Sequence, residues 1–323
     1  ALFGSLLLLV WKHPGWWREL RNNPRRLGIL ALSGALIAGN WLTYVWSVNN
    51  GRMLEASLGY YINPLINVLL GMLILGERLR RLQWLAVGMA AVGVAQQVWQ
   101  VGSLPWVSLV LALSFGFYGL IRKQAPVAAL PGLVVETWML VPLALGWLLL
   151  HPAAMSAQGA FYTSSEALWL MAAGPVTLVP LVCFNAAARH LPYTTLGFLQ
   201  YLAPTLVLLQ AVLLFDEHLS SSTLVAFMFI WAGLAIFLPG AIKNAVDQYG
   251  KSIGHQISYE RIQVSPWILK LDIHGLKVSK ETASKQTALP LINIAHLSIN
   301  AEFIHVLIGR IHLSEIKIDQ AQM

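Results

Sequence analysis

The sequence predicts an all-α polytopic membrane protein built as an inverted repeat of five-helix units, followed by a small β-rich C-terminal segment. Three observations carry this. First, 57% of the 323 residues are hydrophobic and only 11% are charged, too few polar residues to cover an apolar core in water. Second, the apolar residues fall in runs of about 17 to 23, the length a helix needs to cross a bilayer's hydrocarbon core. Third, one unusual stretch occurs twice. EASLGYYINPLINVLLGMLILGERL, residues 55–79, is echoed by TLGFLQYLAPTLVLLQAVLLFDEHL, residues 195–219. In each, a proline (Pro64, Pro204) stands 13 positions before a glutamate (Glu77, Glu217), and a glycine (Gly93, Gly233) follows that glutamate by 16.

Residues 1–11, ALFGSLLLLVW, are apolar but too short to span, and their nearest positive charges, Lys12 and Arg18, follow them. A signal peptide has the opposite order, so these residues read as the end of a transmembrane helix whose beginning is missing. Spans are then expected at 27–47, 56–75, 82–100, 104–121, 130–151, 167–188, 194–215 and 222–239. Trp11, Trp46, Trp84, Trp99, Trp106, Trp147 and Trp169 lie near run ends, where an amphipathic ring suits the headgroup layer. Loop charge alternates. Lys12, Arg18, Arg21, Arg25 and Arg26 precede the first of these spans; Arg78, Arg80 and Arg81, then Arg122 and Lys123, then Arg189 fill every second loop after it. The intervening loops share only Arg52, so the basic set is cytoplasmic by the positive-inside rule. The Pro64 helix therefore runs inward and the Pro204 helix outward. Related helices of opposite direction mean an inverted repeat with an odd number of spans per half, and five fits the spacing, giving ten in a complete bundle.

An apolar chain with a polar, proline-interrupted crossing in each half has the pattern of a secondary transporter, whose cargo site lies near the midplane. Tyr60, Asn63 and Asn67 fall at i, i+3 and i+7 on one face beside Pro64, a candidate helix break that frees a backbone carbonyl. Gln200 and Tyr201, beside the second candidate break at Pro204, hold the corresponding place in the other half, although Tyr201 also suits plain packing. Asn40, Thr43, Tyr44 and Ser47 form a polar stripe that either lines a cavity or joins helices, at about 0.6 kcal/mol per hydrogen bond. Glu136 lies inside an apolar run with no basic residue near it in its own helix. An acid at mid-membrane costs on the order of 3 kcal/mol and rarely faces lipid. It is a candidate for substrate contact or proton coupling, or else a glutamate bonded to a neighbouring helix near the cytoplasmic end. Asn185 joins the candidate pathway. Arg189, four residues on, reads as an anchor, and Glu77 and Glu217 as topology or gate-rim residues.

Specific stretches then carry a family resemblance. NWLTYVWSVN (40–49), EASLGYYINPL, LGERLRRLQWLAVG, GPVTLVPLVCFNAAARHLP, LGFLQYLAPT and FIWAGLAIFL resemble the RarD branch of the EamA drug/metabolite transporters, over residues 1 to about 238. The resemblance implies a ten-helix permease of the bacterial inner membrane with two inverted five-helix repeats, moving a small organic molecule. The branch name refers to chloramphenicol sensitivity and fixes no physiological substrate.

After Leu238-Pro239-Gly240 the character changes, which places a domain boundary between 1–240 and 241–323. Residues 241–250 read as a short amphipathic helix; 255–278, broken at Ser265-Pro266, and then 289–299 and 311–318 alternate with period 2 as strands do. KNAVDQYGKSIGHQISYERIQVSPWILKLDIHGLKV resembles the opening of an AsmA-like envelope domain, which implies a periplasmic location, whereas counting spans puts this segment in the cytoplasm. A joined or fragmentary gene product would explain the conflict. His296, His305 and His312 match no standard metal spacing, and no metal or other cofactor is expected. The net charge of +7 sits in loops between spans, as topology rather than a nucleic-acid surface. Cys183 is the single cysteine and forms no internal disulfide. The chain has no GxxxxGK(S/T), CxxC or HExxH, and no enzyme is expected. The second reading is an envelope-biogenesis or lipid-handling protein acting through its tail.

Overall fold

A computed structural model describes residues 4–6, 8, 23–101, 105–151, 165–215, 221–252, 255–265, 270–280, 292–301 and 313–322. Nine helices are described from Pro24 onward: α1 Pro24–Asn49, α2 Met53–Leu73, α3 Arg81–Val101, α4 Trp106–Gln124, α5 Ala129–Leu150, α6 Ser165–His190, α7 Tyr193–Gln200, α8 Leu202–Phe215 and α9 Ser221–Ser252. α1 opens with Asn23 as N-cap and Pro24 in the first turn, where the missing N–H is no loss. Each expected span has a helical counterpart. Among the described residues, six helices are long and apolar enough to cross a membrane: those at Pro24–Asn49, Met53–Leu73, Trp106–Gln124, Ala129–Trp147, Ala172–His190 and Thr223–Asn244. α3 falls short because Gln83, Gln96, Gln97 and Gln100 dilute its hydropathy. α7 and α8 fall short because the span 194–215 is divided.

That division corrects the expected helix breaks. α2 continues as one helix through Pro64; the proline removes one hydrogen bond, which a buried helix tolerates when its neighbours hold it. The break in the second half falls at Tyr201, not Pro204. Pro204 is the third residue of α8, where a backbone donor has no partner within the helix in any case.

The chain divides into two units, Ala1–Glu77 with Pro105–Leu196, and Arg78–Leu104 with Gly197–Met323. In the first, α4 packs against α1, α2 and α6, while α5 packs against α1 and α6. α2 and α4 approach closely because Gly59 is bare: a Cβ there would lie 3.3 Å from the Ser108 carbonyl oxygen, the small-residue contact that joins helices in lipid. In the second, α3 lies along α9.

Polarity is distributed inside out relative to a water-soluble protein. Leu54, Leu73 and Trp99 are 79%, 80% and 88% exposed, whereas Ser33, Asn67, Arg122, Glu136 and Asn185 are fully buried. That arrangement suits hydrocarbon as the solvent.

α9 runs unbroken past residue 240 to Ser252, with Pro239 inside it, so 241–250 extends the last helix rather than forming a separate one. Among the described residues five strands follow: β1 His255–Ser258, β2 Arg261–Ser265, β3 Lys270–Lys280, β4 Ile292–Ala301 and β5 Leu313–Gln322. All pairings are antiparallel, in the order β1-β3-β4-β5, with β2 also on β3. β1 and β2 lie against α9, and Lys243 Nζ stands 5.8 Å over the Tyr259 ring. His296 stacks on His274 and its Nε2 lies 3.2 Å from Asp272 Oδ1. His305 and His312 lie outside the described residues, as does Glu217.

Candidate functional site

The first unit contains a buried polar group centred on α4 and α5. Glu136, two turns into α5, accepts a hydrogen bond from Ser33 Oγ of α1 at 2.5 Å. Its Oε1 also lies 3.5 Å from Nε of Arg122, and neither side chain is more than 1% exposed. Arg122, in the last turn of α4, donates from Nη2 to the carbonyls of Ala128 and Ala129 in the turn that leads into α5. Gly132 makes room for the guanidinium, since a Cβ there would collide with Nη1. Tyr118, one turn before Arg122, interacts with the Glu136 carboxyl and accepts a hydrogen bond at 2.8 Å from Asn185 Nδ2 of α6. Four helices thus supply one ion pair and its neutral partners. A buried ion pair is costly and gains little stability over apolar packing, so its presence in a lipid-facing bundle points to function.

A second buried group adjoins α4 on the side of α2. The Tyr193 hydroxyl, at the start of α7, lies 2.6 Å from the Gly116 carbonyl and 3.0 Å from Asn67 Oδ1. Its single proton serves one of these two acceptors at a time. Asn67 therefore ties the Pro64 helix to the opening residue of the other half's counterpart. At the same end, Glu77 accepts the backbone N–H groups of Tyr193 and Thr194 at 2.6 and 2.8 Å. A carboxylate on two unpaired amides at a helix start is favourable both as hydrogen bond and as charge against dipole. Lys123 Nζ donates to the Ala188 and Leu191 carbonyls, the complementary arrangement at the end of α6.

The remaining sequence candidates fall elsewhere. Asn40 Nδ2 donates to the Leu111 carbonyl and Ser114 Oγ, both at 2.8 Å, so it joins α1 to α4. Thr43 and Ser47 bond back to their own helix. Tyr44 meets Tyr60 edge to face, ring centroids 6.3 Å apart. Tyr60 is 55% exposed while Asn63 and Asn67 are buried, so the expected three-residue face is continuous only through its last two members. Gln200, half-buried, and Tyr201, buried against Phe198, belong to the second unit. Arg189 donates to the Val127 carbonyl, as befits an anchor. Sequence reasoning missed Arg122, Ser33, Tyr118 and Tyr193. For Arg122 a signal existed: an intramembrane acid demands a cationic or hydrogen-bonding partner, and Arg122 stands one short turn before its helix.

A multi-pass helical bundle with an apolar exterior and a buried charged interior is the architecture of a polytopic membrane protein, and comparison with known proteins gives its class as a transporter. The profile of the EamA-like transporter family matches residues 1–96. The chain is 77% identical over 237 residues to an uncharacterized transporter of Pseudomonas aeruginosa, covering 73% of this chain and 80% of that protein. It is 48% identical over 240 residues to protein RarD of Escherichia coli, covering 74% and 81%, and 34% identical over 229 residues to the chloramphenicol-sensitive protein RarD of P. aeruginosa, covering 69% and 74%. This chain belongs to the EamA-like transporter family, in its RarD branch, and is a multi-pass protein of the bacterial inner membrane. The AsmA-like resemblance of the tail finds no support in these matches.

Proposed function

We propose that the protein is a permease or exporter of small organic metabolites or drugs that works by alternating access, with residues 1–240 as the transport domain and 241–323 as an accessory segment. The buried Arg122–Glu136 pair carries this reading: charges sequestered among helices at this cost are there to meet a charged or polar cargo. Asn63, Asn67, Glu136 and Asn185 line the pathway of the first unit, and Gln200 and Tyr201 supply that of the second. Asn40, Thr43, Tyr44 and Tyr60 stand toward its outer end. Glu136 is the residue that couples transport to protons.

The test is uptake into proteoliposomes, with and without a pH gradient, of compounds drawn from amino acids, organic acids and antibiotics that stabilise the purified protein. Wild type is expected to respond to the gradient, and Glu136→Gln to transport without that response. An unchanged gradient response in the variant removes Glu136 from the coupling role.

A further inference from the structure

The turn from α6 to α7, Leu191-Pro192, is gripped from two sides. Proline has no N–H, so the Ala188 carbonyl, four residues before Pro192, loses its partner within the helix. Lys123 Nζ of α4 takes that carbonyl at 2.9 Å and the Leu191 carbonyl at 2.5 Å. Glu77, in the turn after α2, accepts the first two N–H groups of α7, those of Tyr193 and Thr194. A cation thus faces the carbonyl end of one helix and an anion the amide end of the next. Beneath them, the Tyr193 hydroxyl enters a notch in α4 left by two glycines. It lies 2.6 Å from the Gly116 carbonyl, and a Cβ on Gly119 would collide with it. Gly71 admits Thr194 in the same way, since a Cβ there would lie 3.0 Å from Thr194 Cγ2. Tyr193 and Ala188 are fully buried, packed with Leu70, Leu120 and Leu196.

We propose that the start of α7 is the inner gate of the carrier: Tyr193 is the plug, Glu77 and Lys123 are its clasp, and release of the clasp opens the cytoplasmic side. The proposal rests on the transport reading above and assigns its moving part. Loop charge puts this end at the cytoplasmic face, because Arg78 follows Glu77, and Lys123 and Arg189 belong to the basic set. α7 is bounded so that it can shift as one piece. It has eight residues, with Pro192 before it, which ends the ladder of α6, and the break at Tyr201 behind it. The clasp consists of polar contacts to backbone groups that water would serve as well once the end opens. Exchanging such bonds for bonds to water costs little net free energy, so the clasped and released forms lie close enough to interconvert.

The repeat supplies a comparison. Tyr193 opens α7 at the place Met53 holds in α2, each 11 residues before the proline of its half. At Met53 no equivalent grip is made among the described residues: the N-cap, Arg52, forms no side-chain capping bond, and its guanidinium pairs instead with Glu55. Inverted repeats that alternate close one face at a time. Here the clasp is made at the inner start and no side-chain cap is made at the outer one.

The experiment follows one reporter cysteine at a time in the full chain, in a Cys183→Ser background. Ala188→Cys lies under the clasp; Ala56→Cys, as deeply buried, lies near the outer start of α2. Labelling by a membrane-impermeant maleimide is timed in inside-out vesicles. Glu77→Ala is expected to speed labelling of Ala188→Cys about tenfold, the scale of a lost helix cap, and to leave Ala56→Cys unchanged. Glu77→Gln, which still accepts one N–H, should speed it about threefold. Tyr193→Phe removes only the hydroxyl and should also give about threefold; if the Glu77 variants fail to accumulate, it decides alone. Equal acceleration at both reporters means general loosening, and no acceleration at Ala188→Cys means a fixed junction. Each overturns the proposal. Either result with proteoliposome transport intact leaves the permease reading standing; acceleration confined to Ala188→Cys with no transport of any compound keeps the clasp and removes the permease reading.

Discussion

Glu77 holds two backbone amides that lie more than a hundred residues away in sequence. Gly76, at φ +67°, turns the chain after α2 so that the Glu77 N–H returns to the Gly71 carbonyl at 3.0 Å and the carboxylate reaches the start of α7. Glu77→Ala is expected to lower stability by about 1–2 kcal/mol, the cost of losing a cap, read as a lower unfolding temperature in detergent. Glu77→Gln should lose less, because its amide oxygen still accepts one N–H. Gly132→Ala tests the seat of Arg122: the added methyl has no room beside Nη1 and should cost roughly 1–3 kcal/mol by overpacking. In an Arg122→Gln background that penalty should shrink, which a double-mutant cycle of unfolding free energies measures. Glu136 stood out in the sequence because an acid in an apolar run is rare. Arg122 did not, because its position two residues from the end of α4 is equally that of a topology anchor, and only packing distinguishes a guanidinium turned inward from one in the headgroups.

At the scale of elements, the crossing of α3 and α9 repays the glycine spacing seen in the repeat. A Cβ on Gly93 would fall 2.7 Å from the Ala226 carbonyl oxygen, and one on Gly233 2.8 Å from that of Ala86. Each glycine faces an alanine carbonyl of the other helix, the reciprocal contact that symmetric partners make. Backbone cannot move aside as a side chain can, so Gly93→Ala and Gly233→Ala are each expected to destabilise by about 1–3 kcal/mol. Gly88→Ala on the same helix meets nothing within 4 Å and should be neutral or stabilising by up to about 1 kcal/mol; unfolding temperatures of the three variants decide. The helices themselves were legible from run length, because hydrocarbon thickness sets it. Their interruptions were not: a proline marks a lost hydrogen bond, but whether the helix bends, breaks or continues depends on what surrounds it, as Pro64 and Tyr201 show.

For the whole molecule, the sequence predicts that Arg52 and Arg78 lie on opposite faces of the membrane, at the two ends of α2. In a Cys183→Ser background, a membrane-impermeant maleimide applied to intact cells is expected to label Arg52→Cys and spare Arg78→Cys until the cells are opened. Labelling of both from outside would overturn the alternation of basic loops and the antiparallel sense of the two repeats with it. The tail was legible as strands from its period-2 pattern. Its attachment was not, since nothing in the composition of 241–250 announces that α9 continues unbroken to Ser252.

Composition and run length determined by themselves that this chain lives in a bilayer and crosses it many times, because each of those properties is imposed by the solvent on every segment separately. Which polar side chains meet was decided only by the tertiary structure. Ser33, Arg122, Glu136 and Asn185 come from four helices, and their encounter depends on helix rotation and close approach at bare glycines, quantities that no single segment encodes.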